Sequence, residues 1–155
     1  MAFTLKVDTS VWDRIKKNLV VGDNLQVSTG FFEDAVYGEE NNNAQVAQIA
    51  RDNDQGTVRN PPRPFMNVGF GIKVQQNLPK LFLANMKRIV EGKSTFTKEY
   101  KVLSTILTTG LKQTIIDWST PPNSPRTIAD KGFNDPLIKT GKMLESVESK
   151  VEAKP

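Results

Sequence analysis

Chemistry in this chain would have to run on carboxylates, lysines and hydroxyls, because histidine and cysteine are both absent from its 155 residues. Without imidazole there is no ordinary catalytic triad, no zinc site of the common kinds and no general base with an unperturbed pKa near neutrality. Without thiols, disulfides, thiolate nucleophiles and sulfur-ligated metals are excluded. The carboxylates that come nearest to a metal-dependent nuclease set are Asp52, Asp54 and Asp130, and their spacing matches no recognised ligand pattern. Lys139-Thr140-Gly141 spells a β-lactamase motif, but no S-x-x-K nucleophile motif accompanies it. Gly69-Phe70-Gly71 is followed by neither a third glycine nor a Gly-Lys-Ser/Thr, so it is no phosphate loop. The reading is therefore of a protein with no catalytic residue, no metal and no cofactor.

What the chain does carry is two stiff, proline-braced stretches. Residues 118–147 contain Pro121, Pro122 and Pro125 within five positions, then Gly132, Pro136 and Gly141 at nearly regular intervals. Proline fixes φ and lacks an N–H, and glycine tolerates positive φ, so this run can be neither one helix nor one central strand. Ile128, Phe133, Leu137, Ile138 and Met143 make it too apolar for a solvated linker. An extended ordered loop over 119–142 is expected, docked on its own domain or on a neighbouring subunit. The second stretch is Pro61-Pro62-Arg63-Pro64-Phe65-Met66. Alone, P-P-R-P could be a polyproline II ligand, but a free ligand rarely runs straight into buried apolar residues. A rigid bracket that delivers Phe65 into the core is preferred, with Arg63 free to pair with a carboxylate across a subunit boundary.

The elements that hold these stretches follow from periodicity and punctuation. Residues 10–19 form a first helix, capped by Thr9 or Ser10, with Asp13 in its first turn and Val11, Ile15 and Val20 along its stripe. Residues 25–35 alternate like a strand through Leu25, Val27 and Thr29, and 38–43 form a polar turn. Residues 44–50 read as a short helix of small apolar residues closed by Arg51, before a sharp turn over 53–57. Val68, Phe70, Ile72 and Val74 alternate with period two, although the intervening glycines weaken any strand there. A helix is predicted over 78–90 with Pro79 in its first turn. A longer one, capped by Thr97, runs to Trp118 and carries Gly110 as a close-packing point. Trp118 should cover the base of the loop, and one helical turn fits 127–131. Residues 142–152 are balanced between helix and strand.

Composition bounds the rest. The length fits one domain able to bury a core, with 153–155 a flexible C-terminus. The hydrophobic share is 37% and the mean hydropathy is negative. No apolar run reaches the roughly 18 residues that a membrane helix needs. Residues 1–11 have neither a basic n-region nor a long h-region, so neither a leader nor a membrane contact is expected. The net charge of +4, from 21 basic against 17 acidic residues, invites a small nucleic-acid-binding module as the alternative reading. The basic residues are scattered, however, and the clusters at Arg14, Lys16, Lys17 and at Lys87, Arg88 suit solvated helix faces.

The string PPNSPRTIADKGFNDPLIKTGKM resembles the C-terminal signature of the small neck or tail-completion proteins of tailed bacteriophages. ARDNDQGTVRNPPRPFM is similar to the same family's short helix, turn and P-P-R-P-F segment. With residues 27–37 the resemblance covers most of the chain. It departs at two places: Asp54 stands near where the family carries a glutamate, and Lys139 where it usually carries an aspartate, which adds positive charge to the loop. The resemblance implies an α+β fold, a small antiparallel sheet packed against two to four helices with long ordered Pro/Gly-rich loops. It also implies a structural virion protein at the head-tail junction, forming a homo-oligomeric ring, with sixfold symmetry preferred, through whose lumen DNA passes. Partners would be neighbouring neck, tail-terminator, tail-tube or head-completion proteins. The interface is expected at Pro61, Pro62, Arg63, Pro64 and Phe65, at Trp118, and at Pro121, Pro122, Asn123, Ser124, Pro125, Lys131, Gly132, Phe133, Pro136, Leu137, Thr140, Gly141 and Met143.

Overall fold

A computed structural model describes residues 8–155, the side chains of Glu40, Ile72, Lys73 and Gln75 excepted. The leader reading rests largely on residues 1–7, which lie outside the described residues. Among those described, the chain forms α1 (Ser10–Asp23), β1 (Leu25–Gly30), a 3-10 turn (Glu39–Asn41), α2 (Val46–Gln55), α3 (Phe65–Phe70), α4 (Ile72–Val90), α5 (Phe96–Asp117), α6 (Pro125–Lys131), α7 (Lys142–Glu145) and β2 (Glu148–Ala153). This is the α+β class that was expected. The helix count is seven where two to four were foreseen, and the excess lies in short elements, since α3, α6 and α7 have 6, 7 and 4 residues.

The helix α5 is the axis of the fold. Thr95 caps it, its hydroxyl accepting from the Lys98 N–H at 3.4 Å, so the cap falls two residues before the expected Thr97. The two strands pair antiparallel with Val27 opposite Val151 and Leu25 opposite Ala153. That register puts Leu25, Val27, Val151 and Ala153 on one face of the ribbon. A two-stranded ribbon is marginal by itself, and both strands lie against α5. Thr29 and Ser149 join their hydroxyls across the pair. No helix among the described residues is long and apolar enough to cross a membrane.

Two packed centres result. The larger one gathers Val46 and Ala50 from α2, Phe65 from α3, Leu111 and Ile115 from α5, then Leu137, Met143 and Val147. Each large side chain buried there contributes about 1.5–3 kcal/mol. The Phe31 ring meets Phe65 edge-on, with centroids 6.1 Å apart. The smaller centre lies where α1, α4 and the start of α5 meet. There Phe96 packs edge-on against Tyr100 at 6.0 Å, and Ile89 is buried. The Glu99 carboxylate is buried too and pairs with Arg88 at 3.3 Å. Rotated to satisfy its donors, the Asn85 amide reaches the second oxygen of Glu99 at 2.9 Å.

The period-two pattern over 68–74 is overturned: those residues are helical in α3 and α4, parted by a break at Gly71. The alternation arises because Gly69 faces another helix. A Cβ there would lie 2.9 Å from Leu111 Cδ1, so the glycine lets α3 cross closely over α5. Gly110 sits opposite, but a notional Cβ there would meet the Gly69 carbonyl oxygen at 3.8 Å, an ordinary contact, so the close approach requires Gly69 and not the Gly110 expected as a packing point. Pro79 is inside α4, not in its first turn, and there it removes one intrahelical hydrogen bond. Helix α2 continues past Arg51 to Gln55, and β1 stops at Gly30, short of Ala35. Residues 142–152 divide between the two possibilities, a helical turn and then a strand.

Candidate functional site

The two proline stretches meet each other. Approach to the first begins at Gly56, whose φ of 77° needs glycine and whose notional Cβ would lie 2.8 Å from the Pro62 nitrogen. The Thr57 hydroxyl accepts from the N–H of Asn60 at 3.1 Å and the Thr57 N–H reaches the Asn60 carbonyl at 2.9 Å. Two residues of α2 then fix the chain that leaves the turn. The Asn53 carbonyl accepts the Arg63 N–H at 2.8 Å, and the Asp54 carboxylate accepts the Met66 N–H at 2.9 Å. Asp54 thus satisfies one of the unpaired donors in the first turn of α3.

Arg63 closes the clasp. Its side chain is only 5% exposed. Its Nε donates to the Pro121 carbonyl at 3.1 Å and its Nη2 to the Pro122 carbonyl at 3.3 Å. The planar guanidinium fork spans two successive carbonyls, which a lysine cannot do. Burial pushes the Arg63 pKa down. The expected carboxylate partner across a subunit boundary is replaced by main-chain oxygens of the same chain, reached where Thr120-Pro121 is cis.

The second stretch is ordered by short-range devices. The Asn123 N–H donates to the Asn134 side chain at 3.0 Å. The Ser124 hydroxyl caps α6 by accepting from the Thr127 N–H at 3.2 Å, with Pro125 at the helix start and Gly132 left-handed at its end. These are the preferred residues for those positions. Lys131 Nζ donates to the Asp135 carbonyl at 2.6 Å and lies 5.0 Å from the centre of the Phe133 ring. Gly141, at φ 82°, turns the chain into α7.

This geometry sorts the expected interface residues. Arg63, Phe65, Asn123, Pro136, Leu137 and Met143 are buried within the chain itself. Their burial is against the subunit's own packing. Trp118, Pro121, Lys131 and Gly141 are half-buried, Trp118 against the larger core as the covering role required. Pro61, Pro62, Pro64, Pro122, Ser124, Pro125, Gly132, Phe133 and Thr140 remain exposed.

Trp12, which reads from the sequence as a core or interface anchor with the core preferred, is 59% exposed on α1, so the core reading is overturned. Sequence reasoning missed the set around it: Phe82 is 59% and Leu83 69% exposed on α4, with Val20, Val21, Val102 and Ile106 also uncovered. The signal was present: Leu81-Phe82-Leu83 and Leu19-Val20-Val21 are runs of three that no single helix face can bury.

The other candidates disperse. Asp52 accepts from Gln48 at 2.7 Å, Asp54 serves α3, and no group of three or more acidic residues among those described could hold a metal ion. The basic clusters are largely neutralised locally, Lys16 by Asp13 at 3.0 Å, Lys87 by Glu91 at 4.0 Å and Arg88 by Glu99. Arg14 lies over Gly92 and donates to the Val90 carbonyl at 3.4 Å.

No family model, curated protein or solved structure matches this chain.

Proposed function

We propose that this chain is a structural protein of the phage virion, a neck or tail-completion subunit that assembles into a ring at the head-tail junction and leaves a lumen for DNA. The observation that carries this reading is the uncovered apolar surface of α1, α4 and α5, with Trp12, Phe82 and Leu83 all more than half exposed. Large apolar side chains on this scale mark surfaces that another macromolecule covers. The resemblance of both proline stretches to the neck and tail-completion family supplies the kind of assembly. The clasp adds to it: loops held this firmly present Pro61, Pro64, Pro122 and Phe133 as a pre-ordered surface, which lowers the entropy lost on docking. A ring needs two different surfaces on each subunit. The helical apolar face is one and the outer rim of the clasp is the other.

The test is electron microscopy of purified protein and of particles with no symmetry imposed, alongside native mass spectrometry. Rings, with six copies preferred, are expected. Leu83→Glu and Trp12→Glu should abolish them while leaving subunit stability within about 0.5 kcal/mol, as for surface positions generally. A protein that stays monomeric at every concentration and is missing from particles would end the proposal.

A further inference from the structure

Between the two proline stretches lies an open cavity of about 410 Å³, within the size range of small-ligand clefts. Four cations line it, Arg59, Arg63, Lys131 and Lys139, and no carboxylate does. Among the described residues none of the four is ion-paired to an acidic side chain. A guanidinium as buried as Arg63 is normally balanced by a counter-charge, yet here two carbonyl oxygens are its acceptors. Lys131 has its pKa lowered by burial first, raised in part by Asp135, and lowered again by Arg63 and Lys139. Arg63 and Lys139 are therefore both close enough to Lys131 to disfavour its charge. Asn123 lines the same cavity at 9% exposure, and its Nδ2 has no hydrogen-bond partner. The Ser124 and Thr127 side chains line it too, their hydroxyls bonded to each other at 2.9 Å, which leaves one of the two protons able to donate into the cavity.

We propose that this cavity binds a single oxyanion, a phosphate or carboxylate group, which supplies the counter-charge that Arg63 lacks within the chain. A continuous nucleic-acid backbone fits the site poorly, because its phosphates follow one another along an exposed surface whereas Arg63 sits at the bottom of a recess. The inference stands apart from ring assembly and is tested on the isolated chain.

Inorganic phosphate and succinate are titrated separately by calorimetry and by thermal unfolding, at an ionic strength held constant with chloride. Saturable binding of at least one is expected, and the tighter of the two names the source of the oxyanion. Arg59→Gln and Lys139→Gln alter exposed side chains and should leave the fold intact. Each is expected to weaken binding by about tenfold, the loss of one charge-assisted hydrogen bond. Lys17→Gln, on α1, should change nothing. Equal stabilisation by chloride, unchanged affinity in both cavity variants, or oligonucleotide binding that inorganic phosphate fails to compete would each overturn the proposal.

Discussion

Replacing Arg63 by alanine tests whether the clasp holds the two proline stretches together. The side chain makes two hydrogen bonds from a charged donor, to Pro121 and Pro122. Each such bond is worth about 1.5–3 kcal/mol when its partner is left unsatisfied. Two terms oppose that gross loss: removing the side chain enlarges the open cavity that Arg63 and Pro122 line, so water can replace the lost donors, and the cost of holding a guanidinium out of solvent disappears. The net destabilisation should then be about 2–3 kcal/mol, in the range of a broken buried network. Arg63→Lys keeps the charge but cannot bridge both carbonyls, so it should lie between alanine and the native chain. Urea unfolding followed by tryptophan fluorescence gives the midpoints, with Trp118 packed beside the clasp as a reporter. Hydrogen exchange at the Asn123 amide, which bonds to Asn134, reads the same event locally and should quicken in both variants. If Arg63→Ala unfolds within about 0.5 kcal/mol of the native chain, the ordinary scatter of surface changes, and the Asn123 amide stays equally protected, the clasp is not what orders these loops.

Two further perturbations probe the packing and the titration. A Cβ at Gly22 would lie 2.5 Å from the Phe96 ring, so Gly22→Ala should cost about 1–3 kcal/mol by overpacking. Gly110→Ala meets its nearest atom at 3.8 Å and should instead gain up to about 1 kcal/mol of helix propensity; calorimetric midpoints moving the same way in both would contradict the packing described. Burial raises the Tyr37 pKa above 10.0. The unfolded chain therefore ionises first, and stability should fall as pH climbs past that value. Lys131 is lowered from 10.5, so the folded chain loses that proton first and stability rises as pH approaches 10.5 from below. Tyr37→Phe should remove the downward slope and leave the upward one, and urea midpoints that run parallel in the two proteins from about pH 9 to 11 would refute the assignment.

Legibility in the sequence followed the range of the physics. The ends of α6 were readable within a few residues, because Ser124, Pro125 and Gly132 act on their immediate neighbours. So was the delivery of Phe65 into the core, since a proline bracket followed by Phe65-Met66 has little else to do. The pattern over 68–74 misled because a strand's alternation and a helix that needs Gly69 for close approach write the same letters. The exposed runs on α1 and α4 were visible as excess hydrophobicity, but a stripe shows how much is apolar, not which part a neighbour will cover.

The sequence alone settled the chemistry that is missing, with no imidazole and no thiol anywhere, and the stiffness of two loops, because proline and glycine constrain φ whatever surrounds them. Tertiary structure alone decided what that stiffness serves. Arg63 finds Pro121 at a separation of 58 residues, and four cations in or beside the two distant proline stretches converge on one recess. Nothing in a side chain's own neighbourhood encodes such a meeting, since it depends on how α2, α3 and α5 pack and so on where the chain is carried in space.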